Sequence, residues 1–468
     1  MGLIRVGTGP NGPSTVTVQL GTDSPIACGL IGPGQIGPKW VSPTRLTDNI
    51  KIAATEMDKE DRISYLPRNV IDHIFELLPV EDVARTSILS TKWRYIWAML
   101  PNLVLDDLFC NKLASRSQYV FGQTIDKILL QHIGDIVKFD LDMSRVQQSP
   151  CPDIDRWILY ATRNGVKKLK LNMPKCSTYK LPSYIFNCPT LTKLKLFNCA
   201  TKLPKSFLGF QSLTTLLLGK VTFVSTTEVC VINAPLLVNL TLMDCNGTQY
   251  FNIVSAGLKS LCFRDSHSNI DLSCFMICKK LTYLYLEVGN YSTPAERLTL
   301  EKFLLSLTTL EVLTLCSLEL ELLSAGAVPK GLPFTLNCLW HLHLGVNFNH
   351  IGQTYYALEL IKSSPNLSKL EIWVSDSCDS AEAVLKYIDA PTYLDQPLNK
   401  LKDVTVHYFT GSKTELFFIK LLLARTPSLV RMSIDPCGSL EEWKIAIELM
   451  RFPRASPKAE LFYLTNVD

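Results

Sequence analysis

From about residue 130 onward one pattern keeps returning, and it restricts the fold more than any other feature of the chain. Leucine, or a close apolar substitute, fills positions one, four and six of a short motif: Leu191, Leu194 and Leu196, then Leu213, Leu216 and Leu218, then Leu237, Leu240 and Leu242. Later copies are Leu258, Leu261, Phe263; Leu281, Leu284, Leu286; Leu310, Leu313, Leu315; Leu339, Leu342, Leu344; Leu367, Leu370, Ile372; Leu401, Val404, Val406; and Leu429, Met432, Ile434. Weaker early copies are Ile136, Phe139, Leu141 and Val166, Leu169, Leu171. Apolar residues at every second position mark a strand with one buried face. A strand that short cannot bury its leucines alone. Copies at steady spacing bury them by stacking on one another, which builds a quasi-one-dimensional solenoid.

Successive copies start about 21 to 34 residues apart, the range of irregular leucine-rich repeats. The chain has 468 residues, too many for one compact core, so more than one unit is expected. The expected fold is α/β, a leucine-rich-repeat solenoid (horseshoe) over residues 130–395. Residues 396–468 continue it as strand, helix, strand, helix, with helices over 414–423 and 443–450, the second preceded by a capping-box pair, Ser439 and Glu442. Three residues past the last strand leucine, the turn needs a side chain that bonds backbone. Cys199, Cys245, Asn347 and Cys437 stand there, with Ser266 and Ser375 as imperfect substitutes. The fifteen cysteines form no CxxC pair and lie mostly in apolar runs, so reduced, buried thiols are expected.

Residues 1–56 are rich in Gly and Pro, lack any helical or strand period, and are expected to be disordered. Gly32, Gly34 and Gly37 satisfy GxGxxG there, but prolines interrupt the run and no helix pattern follows, so the dinucleotide-binding context is missing. A small all-α unit spans residues 57–105. Pro67 suits the start of a helix, and Val70, Ile71, Ile74, Leu77 and Leu78 follow at helical spacing before Pro79 stops it. Two more short segments follow, one with Val83, Ala84, Ser87 and Ile88, one with Trp93, Ile96 and Trp97. Three helices this short make a very small core, which needs an appended domain or a partner.

The runs DRISYLP, HIFELLP and RTSILSTKWRYIW resemble, in order and spacing, the F-box of plant F-box proteins. Farther on, HYFTG, ARTPSLVRMSI and FPRASPKAELFYL resemble the FBD region of plant F-box/FBD/LRR-repeat proteins, so the likeness covers nearly everything after Met57. The resemblance implies a small three-helix F-box domain ahead of the repeats and the role of substrate-recognition adaptor in an SCF ubiquitin ligase. The F-box would dock on a Skp-type adaptor and through it a cullin, and the repeats would hold a target protein. Position by position, Leu66 and Pro67 match the family's motif at the adaptor interface. Ile71, Ile74, Leu77 and Leu78 match the first helix, Val83, Arg85 and Ser87 the second, and Leu89, Ser90, Trp93, Arg94 and Trp97 the third. Leu66, Pro67, Trp93 and Trp97 are the expected anchors. Arg68 and Asn69 stand where the family often has acidic residues. The residues alone leave a second reading open: a repeat scaffold acting outside any ligase, with the helical unit as its cap.

Side chains alternate along a strand, so residues between the repeat leucines share the opposite, concave face. That face reads Lys168, Lys170, Lys193 and Lys195, then Tyr283, Tyr285, His341, His343 and Trp373, then Asp403, His407 and Asp435. The first nine are the expected target contacts, because exposed aromatic residues dominate binding hot spots. His341 and His343 share a face, but the sequence places no carboxylate or thiolate to complete a metal site with them, so no metal or cofactor is expected. No nucleophile elbow, P-loop or HExxH occurs, and the expected chain is not an enzyme. A net charge of +4 gives no reason to invoke nucleic acid or a membrane surface. With no apolar run of ~20 residues and no secretion signal, the nucleus or cytoplasm is expected.

Overall fold

The computed structural model describes residue 63 and residues 66–463, apart from 148–152, 176–177, 205–206, 225–229, 248–250, 266–271, 290–293, 326–331, 376–396 and 438–441. The Gly- and Pro-rich extension, Ser266 and Ser439 therefore lie outside the described residues.

Fourteen short strands form one parallel sheet whose spatial order is the order of the chain. They are β1 (Asn102–Leu105), β2 (Lys138–Asp142), β3 (Lys168–Asn172), β4 (Lys193–Phe197), β5 (Thr215–Gly219), β6 (Asn239–Met243) and β7 (Ser260–Asp265). The series continues with β8 (Tyr283–Val288), β9 (Val312–Leu315), β10 (His341–Val346), β11 (Lys369–Val374), β12 (Asp403–Phe409), β13 (Arg431–Pro436) and β14 (Glu460–Tyr463). Register follows the leucines. Leu194 pairs with Leu169 and Leu216, Leu284 with Leu261 and Leu313, and Leu342 with Leu313 and Leu370. These side chains are almost fully buried. Each contributes roughly 1.5–3 kcal/mol, and a one-residue slip would turn a whole strand's apolar set to water. The repeated leucines thus fix both the pairing and the core.

Sequence reasoning placed the first repeat at Ile136, but the sheet begins earlier. Leu100, Leu103 and Leu105 carry the same one-four-six spacing, and all three are buried. The end of the presumed F-box span is therefore the first rung of the solenoid. At the other end β14 adds a rung through Leu461 and Tyr463, which pair with Met432 and Ile434.

Eleven α-helices occur among the described residues. The first three, α1 (Arg68–Glu76), α2 (Val80–Thr86) and α3 (Thr91–Ala98), form the N-terminal unit; α4 (Asp107–Ala114), α5 (Gln118–Gln131) and α6 (Ile154–Arg163) accompany the early strands. Later repeats carry α7 (Pro294–Leu305), α8 (Ser317–Ser324), α9 (Ile351–Lys362), α10 (Lys413–Arg425) and α11 (Glu442–Met450).

Two devices turn the chain out of the sheet. In the short repeats Asn198, Lys220 and Asp244 take left-handed backbone (φ 56°, 53° and 49°), each two residues past the second ladder leucine. Only the Asn and the Asp advertise that conformation in sequence. At α8, α9 and α10 the third helical residue carries an acceptor that reaches back to the chain entering the helix or to a neighbouring strand end. Gln353 accepts from the Asn347 amide (2.9 Å). Glu415 accepts from the Thr410 (2.8 Å) and Gly411 (3.1 Å) amides. Glu319 accepts from the Val288 amide (2.7 Å) and the Cys316 amide (3.0 Å). The turn residues expected to do this work do so only in part. Cys245 donates its thiol to the Leu218 and Met243 carbonyls (3.4 and 3.5 Å), and Asn347 accepts from the Asn349 amide (3.0 Å). Cys199 is buried, Cys437 is exposed, and the buried Ser375 hydroxyl has no partner.

Cys110, Cys199 and Cys278 are buried and form no disulfide. Burial pushes the Cys199 thiol up to about 12 and the Cys278 thiol to about 11, which leaves them inert as nucleophiles at neutral pH.

Candidate functional sites

The N-terminal helices assemble as their prolines and caps direct. Pro67 and Pro79 precede α1 and α2, and the Ser90 hydroxyl accepts from the Trp93 amide at the start of α3 (3.3 Å). Their small core holds Ile71, Phe75, Val80, Val83, Trp93 and Ile96, with the Phe75 and Trp93 rings 5.8 Å apart. Arg68 explains one departure from the family's acidic residues. Its guanidinium pairs with Asp72 (2.8 Å) and donates to the Ile96 and Met99 carbonyls (3.2 and 3.0 Å), fastening α1 to the carbonyl-rich end of α3.

The unit is joined directly to the solenoid. Asn102 of β1 donates to Glu76 (2.5 Å), Lys112 pairs with Glu81 (2.7 Å), and the Ile133 amide donates to the Ala98 carbonyl (2.6 Å).

Burial divides the thirteen expected adaptor contacts. Ile71, Val83 and Trp93 are core residues, at 3%, 1% and 7% exposure. In the free chain they form the core beneath the exposed surface rather than part of it. Ile74, Leu78, Leu89, Pro67, Arg85, Ser90 and Arg94 are exposed, and Leu66, Ser87 and Trp97 are half-buried. Arg85 pairs with Asp82 (2.5 Å), and Ser87 donates to the Ala84 carbonyl (2.6 Å). Apolar exposure is greatest in the two inter-helix turns, at Leu77 (75%), Ile88 (81%) and Leu89 (66%). Ile88 and the exposed Tyr95 were not singled out as contacts. The signal available for them was an apolar residue off the helical stripe, which periodicity alone discounts.

The nine expected target contacts all alternate with buried ladder residues, on the open face of the sheet. At its N-terminal end Lys168, Lys193 and Lys195 are exposed, while Lys170 pairs with Asp142 (2.9 Å). Farther along, parallel register aligns Tyr283, Val312, His341, Lys369 and Asp403 in one row. The adjacent row holds Tyr285, Thr314, His343, Glu371 and Thr405. Tyr285 donates to Glu287 (2.7 Å), and Trp373 meets the His407 ring edge to face, 6.1 Å away. His407 in turn faces Asp435 (3.3 Å).

Glu371 is the residue that sequence reasoning missed. Its carboxylate lies 3.1 Å from His341 Nε2 and 3.0 Å from His343 Nδ1, with Lys369 Nζ at 2.5 Å. A carboxylate therefore does accompany the histidine pair, contrary to the sequence expectation. It is supplied by the next repeat, so no local spacing reveals it. Burial lowers the pKa of both imidazoles, that of His343 to about 4, where His341 adds to the effect. Burial alone would raise the Glu371 carboxyl, but Lys369 and the two histidines hold it below the usual value.

A three-helix unit with exposed apolar turns, continuous with a parallel leucine ladder, defines an F-box joined to leucine-rich repeats. Comparison with known proteins agrees. The F-box domain model matches residues 63–105. The model described as "FBD-associated F-box protein At5g56370, LRR repeats" matches residues 154–372. The Arabidopsis thaliana F-box/FBD/LRR-repeat protein At1g13570 is 31% identical over 426 residues, 87% of this chain and all of the relative. The FBD-associated F-box protein At5g56370 of the same plant is 24% identical over 86% of this chain and all of the relative. The chain belongs to the plant F-box/FBD/LRR-repeat protein family. Membership supports an SCF-type adaptor role in general, in a family that is generally non-catalytic, and its F-box implies binding to a Skp-type adaptor.

Proposed function

We propose that this chain is the substrate-recognition subunit of an SCF ubiquitin ligase, acting in the nucleus, the cytoplasm or both. The F-box docks on a Skp-type adaptor carried by a cullin, and the open face of the repeats holds a target protein for ubiquitination. The observation that carries the reading is the pairing of two surfaces in one continuous fold: apolar side chains exposed on the F-box turns, and aromatic side chains exposed on the strand face. Apolar groups left uncovered on a unit this small suit a partner surface.

Co-expression tests the first half. The full chain is expected to co-purify with a plant Skp-type adaptor, and Leu66→Ala plus Pro67→Ala to weaken that contact. Failure of the unaltered chain to bind any such adaptor would leave a repeat scaffold as the better reading. For the second half, changing Tyr283, Tyr285 and Trp373 together to alanine is expected to lower target recovery in proximity labelling while adaptor binding persists. Unchanged recovery would remove the strand face from the target site.

A further inference from the structure

We propose that His341, His343 and Glu371 form a binding site for a divalent transition metal ion, zinc being the natural occupant, with one coordination position open toward the strand face. The inference goes beyond the ligase reading and stands whether or not that reading holds.

The donor set comes first. Two imidazoles and a carboxylate are the three protein ligands of an open zinc site, and water or an incoming group fills the fourth position. Geometry comes second. Zinc bonds of about 2.0–2.1 Å to nitrogen and oxygen put neighbouring donors of a tetrahedron about 3.3–3.4 Å apart. Here the imidazole nitrogens stand 3.1 and 3.0 Å from the two carboxylate oxygens, and the three donor atoms lie within 4.8 Å of one another. Each histidine faces a different carboxylate oxygen, so an ion drawing one donor from each residue needs side-chain adjustment to tetrahedral spacing but no new residue.

Rigidity comes third. The three residues sit on β10 and β11, and the pairing of His343 with Glu371 and Leu342 with Leu370 fixes their backbones. A site borne by strands needs little reorganisation on binding. The carboxylate already attracts a cation, the Lys369 ammonium at 2.5 Å. That lysine side chain is 40% exposed, so it can swing into water when a metal arrives. Lys369 thus acts as a built-in competitor, and the three ligands share the sheet face with Tyr283 and Trp373, so a histidine, thiolate or carboxylate of a bound partner could complete the shell.

Titration of zinc chloride into the untagged full chain tests this by calorimetry, with cobalt(II) absorption as a second reading of tetrahedral geometry. One ion per chain is expected to be lost in His341→Ala plus His343→Ala. Glu371→Gln, which keeps the side chain's shape, should weaken binding by about tenfold or more, since even outer-shell changes act on that scale. Lys369→Met should tighten it. Circular dichroism of each variant separates lost ligands from lost fold. The proposal is overturned if the wild type takes up no zinc, or if the histidine and Glu371 variants take it up as the wild type does.

Discussion

Replacing Leu77 and Leu89 together with aspartate should abolish capture of a Skp-type adaptor while the melting temperature stays close to wild type. Both side chains lie in turns between helices and are mostly in water, at 75% and 66% exposure. Removing them costs the free protein little, because little packing is lost. Bound to a partner, each would bury its whole apolar surface, and central apolar anchors of this kind are worth about 2 kcal/mol or more apiece. Aspartate adds the cost of desolvating a charge. A combined loss of roughly 4 kcal/mol is about a thousandfold in affinity, enough to empty a pull-down and easily measured by surface plasmon resonance. Trp93→Ala makes the contrast. Its indole is packed in the core against Phe75, so binding and melting temperature should fall together. Wild-type affinity in the leucine double variant would show that the adaptor docks elsewhere.

The second large effect is on stability. Glu319 is wholly buried and accepts from the amides of Val288 and Cys316. Glu319→Ala strands both donors, at about 1–3 kcal/mol each, and a clear drop in melting temperature should follow. Glu319→Gln should cost less, since its amide oxygen can keep the Val288 bond as Gln353 keeps that of Asn347. Its NH2 group, however, cannot accept from Cys316. Burial raises the Glu319 carboxyl from 4.5 to about 8 in the folded chain. The fold thus favours the protonated form. That contribution is complete below the unfolded value and disappears as pH rises through 8. The gap between wild type and the glutamine variant should therefore narrow from pH 5 to pH 9 in thermal melts. A gap that widened instead would mean that the ionised carboxylate is the stabilising species.

The ladder was legible in the sequence because one side chain in two of each strand faces the core, and leucine filled those places with little variation. Leu100, Leu103 and Leu105 had the same spacing, yet the helical motifs around them masked the signal, so their place as the first strand of the sheet went unread, although they belong to the F-box span as well. The split of the F-box residues into core and surface was not legible at all. Ile71 and Ile74 belong to one apolar stripe, and only the tertiary packing decides that the first is buried and the second exposed. Glu371 illustrates a third case. Its partners lie about thirty residues away, and parallel register brings them together.

Because β1 is both the tail of the F-box and the first strand of the sheet, no linker separates the F-box from the strand face. The reach between them is counted in strands. Tyr283 and Trp373 sit on the eighth and eleventh strands, and neighbouring strands are about 4.8 Å apart. A target seated there is held roughly 35–50 Å along the ladder from the F-box junction. Inserting or deleting one repeat between β1 and β8 is expected to move the proposed target site by a single strand spacing relative to the F-box.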